Sequence, residues 1–522
     1  MNSLKCLLLI TFSWISLPFY GQSPIALAGG LEQELFTLSS FGFAGSTRNV
    51  SLGGAHVVSG VDAGSTHFNP ANLGYFTKSA IDISLESRRI KNESTLLTGL
   101  GSETTRNTST VSPLRNFSVV FGFDKHEEEG GSSRAIVSGG FSIDYTQLTN
   151  FASNRSYQGS NAVNSLRNSL VNAANGTNFN VFADQLTDQA EVEDIFGLGY
   201  YTFVLNTISE TSSDPALNSF YTTFNEGAVD LVEGETELRG RNQYWNIAYG
   251  LNVKDKWTIG LSVGIRSLRY TETSIYTETP QEIEDGIEQL LLIQNVVTVG
   301  QGVALSFGAN YQLSKQWKVG FTYESGTRYE LDREVSLEMI ALFDSAQFGP
   351  FILDGPESQS TITSLQFITL RSPSRVSLGT SFDPNAWLSS YFTIGFTNYA
   401  NITATQQDTI TMPLLDRPLE DVFRFTPNWN VGFELKKGIG RGRLGVRRTN
   451  NPYQRDASVI DLSSTFLSLG VGILTEVIHL DIAISRKIAN NETLLFSNQT
   501  NSPVLESRFS TIAISYSAGF FF

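Results

Sequence analysis

The sequence predicts an all-β fold, a transmembrane antiparallel β-barrel of about fourteen strands with an N-terminal hatch (plug) segment and helical outer loops. Three observations predict it. Amphipathic strands of about ten residues recur through residues 79–522, which suits tilted membrane-crossing strands. They are joined alternately by short turns and long connections, and the last strand runs to the C-terminal Phe522. In that strand Ile512, Ile514, Tyr516, Ala518, Phe520 and Phe522 share one face, and Thr511, Ala513, Ser515, Ser517 and Gly519 the other. One such strand would also suit a soluble sandwich, so the repetition decides.

The expected strands are 79–89, 113–123, 134–147, 241–254, 257–271, 301–313, 316–330, 374–383, 387–400, 423–436, 441–449, 465–474, 477–488 and 509–522. Trp257, Ile259, Leu261, Val263 and Ile265 alternate with Thr258, Gly260, Ser262 and Gly264. Large apolar residues would face lipid and small polar ones the lumen. Lys254–Lys256, Ser314–Lys315, Asp383–Ala386, Gly438–Gly442 and Thr475–Glu476 are short turns, and Asp124–Ser133 is a longer acidic one. The long connections are 90–112, 148–240, 272–300, 331–373, 401–422, 450–464 and 489–508. With both termini in the periplasm, every long connection falls on the outer side.

Composition agrees. A hydrophobic fraction of 40% with 45 Gly, 36 Phe and 18 Tyr suits small lumen-facing residues and aromatic girdles. A net charge of -15 without a basic stripe argues against a nucleic-acid partner. Lys5 followed by the apolar run from Cys6 to Pro18, then a small-residue site at Gly21, reads as a signal peptide over 1–21. Cys6 is the only cysteine, so the mature chain would hold no disulfide and no thiolate metal site. The expected divisions are thus the signal peptide, a hatch over 22–78, and the barrel over 79–522 with an outer insertion at 148–240.

Two long connections carry helical spacing. Pro280 with acids in the next turn precedes Ile283, Ile287, Leu290 and Leu291, and Val335, Met339, Leu342 and Phe343 repeat the pattern. A third helical region, Val163, Leu166 and Leu170, lies in the insertion, followed by Phe179, Phe182 and Leu186. Apolar loop helices need a surface to cover, and the barrel mouth supplies one.

Before the first strand, the chain reads Arg48…Leu52-Gly53-Gly54-Ala55, then Asp62-Ala63, then Asn69-Pro70-Ala71-Asn72-Leu73. Here it resembles the long-chain fatty-acid transporter (FadL/TodX) family of outer-membrane proteins. Val303–Tyr323 and Ser372–Gly379 are similar to that family as well. The resemblance implies a hatch inside a fourteen-stranded barrel, carried by Gly53, Gly54, Asp62, Asn69, Pro70 and Ala71. It implies ligand capture by outer loop helices, a pocket in the barrel, and sideways release through a wall gap near a kinked third strand. Independently, a plug backbone in a lumen needs glycine for positive φ and an Asn-Pro turn for its bend.

Little in the sequence supports catalysis. Gly260-Leu-Ser262-Val-Gly264 has the G-x-S-x-G spacing, but its Ser lies mid-strand where the nucleophile elbow needs a strand-to-helix turn. His56, His67, His126 and His479 have no metal-ligand spacing. His479 and Asp481 share a lumen face and read as a hydrogen-bonded pair. The cluster Lys436, Lys437, Arg441, Arg443, Arg447 and Arg448 reads as a cationic turn against lipid headgroups. Arg447 turns inward by alternation, as do Arg266 and Arg375. These three either meet a ligand carboxylate or pair with Glu324, Glu434 and Asp481, and both readings stand.

The expected function is therefore a non-enzymatic, cofactor-free passive transporter of the Gram-negative outer membrane. It would carry hydrophobic small molecules such as long-chain fatty acids or aromatic hydrocarbons. Its ligand contacts would be Ile283, Ile287, Leu290, Leu291, Met339, Leu342 and Phe343 with Arg266, Arg375 and Arg447. Its other partners would be outer-membrane lipid and the barrel-assembly machinery, for which Phe522 is the assembly signal. The alternative is a non-transporting barrel that docks partners in protein secretion.

Overall fold

The computed structural model describes residues 30–98, 100–125, 135–161, 165–178, 180–183, 195–208, 221–223, 229–281, 287–343, 357–406, 418–454, 461–494 and 503–522. Fourteen antiparallel strands form one closed sheet. They are β1 (Ala80–Thr98), β2 (Gly101–Val111 and Leu114–Asp124), β3 (Ile136–Asn150 and Ser153–Asn161), β4 (Asp230–Val253) and β5 (Trp257–Pro280). Next come β6 (Ile287–Gln312), β7 (Trp317–Glu324 and Arg328–Phe343), β8 (Glu357–Arg371 and Arg375–Asn385) and β9 (Leu388–Asn398 and Thr403–Gln406). The last are β10 (Phe425–Lys437), β11 (Gly440–Thr449), β12 (Ser464–Leu474), β13 (Ile478–Leu494) and β14 (Val504–Phe521). Each strand pairs with the next, and β14 pairs back onto β1 with Ala80 opposite Phe521. Ser79 and Phe522 exchange backbone hydrogen bonds of 3.0 Å in both directions and complete the seam. Closure leaves no unpaired edge along this seam, which a strand in hydrocarbon requires.

Alternation along the strands decides what faces lipid. In β5, Leu261 is 64% exposed and Val263 45%, whereas Ser262 is buried on the lumen side. Ser262 lies mid-strand, as its flanking pattern predicts. No described helix is long and apolar enough to cross a membrane.

All fourteen expected strands are present, and several run further outward than the alternation alone indicated. β4 and β5 have 24 residues each and β6 has 26, where about ten suffice to cross a bilayer. The connections expected at 90–112 and 272–300 are therefore largely strand. Among the described residues, the two loop helices expected around 280–292 and 335–343 are absent. Pro280 ends β5, Ile287, Leu290 and Leu291 lie in β6, and Val335, Met339, Leu342 and Phe343 lie in β7. Cross-strand pairing overrides the local helical spacing, with Leu290 between Glu278 and Ala341 and Leu292 between Tyr276 and Met339. Ile283 falls outside the described residues, as do Val163, Phe179, Leu186 and His126.

The helix expected in the insertion is present. It is α3 (Leu166–Ala174), following α1 (Gly30–Ser39) and α2 (Thr47–Ser51) of the N-terminal segment. Ser165 caps α3 by accepting from the Asn168 amide at 3.1 Å. Beyond it come α4 (Asn180–Ala183), α5 (Ile195–Tyr201) and α6 (Leu419–Val422).

Candidate functional site in the barrel interior

Residues 30–76 lie inside the barrel and most are buried. Short polar side chains fix each turn. Ser46 caps α2, and Asp62 accepts from the Gly64 amide at 3.2 Å to start one 3-10 turn. Asn69 accepts from the Ala71 amide at 3.0 Å to start another, with Pro70 at the first position, where an amide proton is not needed. Gly53 has φ +66°, and a Cβ there would stand 2.6 Å from the Val446 nitrogen of β11. Pro70 lies so close to the wall that a Cβ on Gly260 of β5 would come within 2.3 Å of its carbonyl carbon. Glycines on both surfaces let the plug backbone touch the strand backbones.

Ion pairs fasten the plug. Arg115 of β2 donates to the carbonyls of Gly45 (2.9 Å) and Phe43 (2.8 Å) and pairs with Glu86 of β1. Arg48 of α2 reaches Glu434 of β10 at 3.4 Å, and Arg443 of β11 reaches the same carboxylate at 2.7 Å. Arg443 continues to Asp481, whose neighbour His479 sits 3.4 Å from it and 3.2 Å from Asp82. The expected His479–Asp481 contact is thus one link in a chain of charges. These groups border a cavity of about 310 Å³ beside plug residues 58–63. His56 and His67 flank the ring of Phe68 at 4.2 and 3.8 Å between centroids. Burial, then the nearby Arg375, pushes both imidazoles down, His67 to about 3, so both are neutral plug contacts.

Phe41 and Phe43 of the plug meet a layer of inward cations. Arg375 lies 4.3 Å and Arg266 5.6 Å from the Phe41 ring, and Arg447 lies 5.2 Å from Phe43. Arg266 and Arg375 are both bound by Glu324, the second at 2.6 Å. The structure thus commits these two expected ligand contacts to a lumen acid. Glu434 and Asp481, named with Glu324 as partners for the arginines, are held by Arg443 and Arg48. Arg447 has no acidic partner among the described residues, and Lys487 of β13 has none either. They flank Phe466 of β12 in one cross-strand row, Arg447 opposite Phe466 and Phe466 opposite Lys487. Sequence reasoning overlooked Lys487, although alternation from His479 and Asp481 already turned it inward.

Toward the long-connection end the lumen becomes apolar. Leu35 and Leu38 of α1 pack with Phe151, Leu268, Tyr270, Tyr329, Leu331, Ile368, Leu370 and Tyr399, joined by Val422, Phe423 and Tyr453 from folded-in connections. Glu34 of α1 fixes this helix by pairing with Arg333 of β7 at 2.8 Å. A second core closes the mouth, where Leu166 and Leu170 of α3 and Ile195 and Leu198 of α5 cover Leu290, Leu292 and Met339. Phe343 packs beside them, while Leu291 and Leu342 are only half-buried. Of the expected capture residues, Leu290, Met339 and Phe343 therefore meet as strand residues beneath helices of the insertion. Arg167 of α3 secures the lid by bonding Asp230 (2.5 Å) and Glu278 (3.4 Å) at the outer ends of β4 and β5.

On the outer half, backbone pairing lapses between β2 and β3. β3 breaks at residues 151–152, and β2 breaks at 112–113. Below the breaks Asn116–Asp124 pairs with Thr146–Ser138. Above them, among the described residues, no backbone ladder joins Gly101–Val111 to Ser153–Asn161. Side chains bridge the two, with Asn107 accepting from the Ser156 amide at 2.9 Å. This is a weakened seam at a kinked third strand.

Together these features define a plugged transmembrane barrel whose interior changes from ionic to apolar toward its mouth. The structure is similar to the crystal structure of a Pseudomonas aeruginosa FadL homologue, with 14% identity, 92% of this chain and 99% of that chain covered, and a TM-score of 0.52. Lower scores come from the P. putida toluene transporter TodX (12% identity, 93% and 99% covered, 0.47) and the Ralstonia pickettii toluene transporter TbuX (14%, 93% and 100%, 0.46). No family profile and no curated protein sequence matches the chain. The chain has the FadL fold that the N-terminal motif pointed to.

Proposed function

We propose that the chain is a Gram-negative outer-membrane channel through which hydrophobic small molecules diffuse inward, entering at the outer mouth and leaving sideways at the seam between outer β2 and β3. The observation that carries this reading is the apolar, aromatic lining of the lumen between mouth and plug. An aqueous pore presents polar residues there. Each ligand methylene buried against such a lining contributes about 0.8 kcal/mol, so long acyl chains and aromatic hydrocarbons both gain enough to leave water. Leu35 and Leu38 fill part of this core, and a ligand takes their place when α1 moves. Arg447 and Lys487, which have no acidic partner among the described residues, favour a ligand with an acidic head.

The test is uptake of a labelled long-chain fatty acid and of labelled toluene by cells lacking their own transporter, with matched amounts of folded barrel. Uptake above an empty-vector control for at least one compound is expected. Uptake of neither overturns the reading in favour of a docking role.

A further inference from the structure

The outward face carries arginines where the apolar belt ends. On β4 and β5, Trp245 stands directly opposite Ile265, each 51% exposed, within the belt. Four residues further outward along each strand, Arg241 stands directly opposite Arg269, both exposed. At about 3.3 Å per residue this is about 13 Å along the strand. Trp245 packs at 5.1 Å on Tyr145 of β3, an aromatic pair of the kind found at the headgroup boundary. On the other side of the seam, Arg486 of β13 and Arg89 of β1 both stand opposite Ile512 of β14 and flank it on its two sides. Both are exposed.

Like charges directly opposed on one face of a sheet repel. Among the described residues none of Arg241, Arg269, Arg89 and Arg486 has an acidic partner. Of the outward acids further along the same strands, Glu237 is held by Arg239 at 2.7 Å and Glu93 by Arg106 at 3.0 Å, and Glu235 and Glu233 lie six and eight residues beyond Arg241. Two separate sites thus each hold two guanidinium groups at the membrane boundary with no counter-charge from the chain, directly opposed in the first and separated by Ile512 in the second. A guanidinium fork matches a phosphate in two parallel hydrogen bonds.

We propose that Arg241 with Arg269, and Arg89 with Arg486, each bind the phosphate of an anionic lipid headgroup in the leaflet that surrounds the outer end of the belt. The binding energy offsets the repulsion within each pair and holds the long strands at a fixed height in the membrane. This rests on the barrel crossing a membrane and is independent of what passes through it.

The test follows the heat-induced gel-mobility shift of the full barrel in neutral detergent micelles. Phosphatidylglycerol, phosphatidylcholine or inorganic phosphate is added at equal phosphate concentration. Phosphatidylglycerol should raise the unfolding midpoint of the unaltered protein, and neither other addition should match it. R241Q/R269Q and R89Q/R486Q should each lose part of the rise, and the fourfold variant all of it. An undiminished rise in the fourfold variant, or an equal rise with phosphatidylcholine, overturns the proposal. An equal rise with inorganic phosphate assigns the sites to a free ion and overturns the lipid assignment. Should the glutamine variants not insert, R241K/R269K and R89K/R486K keep the charge and lose the fork, and a smaller rise is expected. The phosphorus retained by delipidated, lipid-incubated wild-type barrel supplies an independent reading, and retention of phosphatidylcholine as strong as that of phosphatidylglycerol sinks the idea.

Discussion

Arg447 and Lys487 stand on either side of Phe466 in a single cross-strand row, and among the described residues no carboxylate answers either cation. Phe43 of the plug closes over the row, 4.1 Å from the Phe466 ring. Under the proposed function, two cations beside two aromatic rings would receive a carboxylate with an apolar tail. The arginines singled out with Arg447 differ from it, since Glu324 already holds both Arg266 and Arg375.

R447Q/K487Q should therefore lower fatty-acid uptake at sub-saturating concentration and leave toluene uptake unchanged. A hydrogen bond to a charged group contributes about 1.5–3 kcal/mol, so a fall of about tenfold or more is expected. Equal loss for acid and hydrocarbon would show that the row serves the wall rather than the ligand.

Sideways release predicts sensitivity to a clamp across the seam. The mature chain is expected to lack cysteine, so Asn107→Cys with Ser156→Cys introduces the only thiols, on groups already in contact. Bridging them with a short dithiol-reactive linker should stop uptake, and reduction of a cleavable linker should restore it. Full uptake in the bridged protein would place the exit at the plug instead.

The plug should be what seals the lumen against ions. Deleting residues 30–76 from a barrel that still assembles removes α1 and every contact described for Arg48, Pro70 and Gly53. Planar-bilayer conductance should rise from near zero to that of an open pore. Unchanged conductance would mean that the mouth core alone closes the barrel.

Acidification should loosen the same plug. The buried imidazole of His67 is depressed from an ordinary 6.5 to about 3, and His56 is lowered too. A released plug binds these protons more readily than a seated one. The seated state is therefore fully favoured above about pH 6.5 and weakens as pH falls toward 3. Conductance of the intact protein should grow over that window, and H56Q/H67Q should flatten the response. A conductance that ignores pH across it would remove the histidines from the account.

The barrel was legible in the sequence because each strand announces itself by a period of two, as in Trp257 to Ile265. The plug was legible through Leu52 to Ala55 and Asn69 to Leu73, where turn chemistry restricts residue choice. The misread helices were not. Ile287, Leu290 and Leu291 satisfy a period of 3.6 over a short apolar run, and only their partners on β5 and β7, remote in sequence, make them strand. The charge pairing was equally hidden, because which arginine meets Glu324 depends on register across β5 to β8. Lys487 is different, since alternation alone pointed it into the lumen.

The reciprocal hydrogen bonds between Ser79 and Phe522 carry a consequence for biogenesis. They join the start of the wall to the end of its last strand, so the cylinder cannot close until the chain has been delivered as far as Phe522. Contacts this remote in sequence form late, after the chain between them has been ordered. The hatch immediately precedes Ser79 and touches strands as far apart as β5 and β11. It would have to be threaded through a finished cylinder unless it is gathered inside while the sheet still lies open. The last zipper to be drawn thus encloses a cargo made of the protein itself, and a hatch slow to fold would delay insertion of an otherwise competent wall.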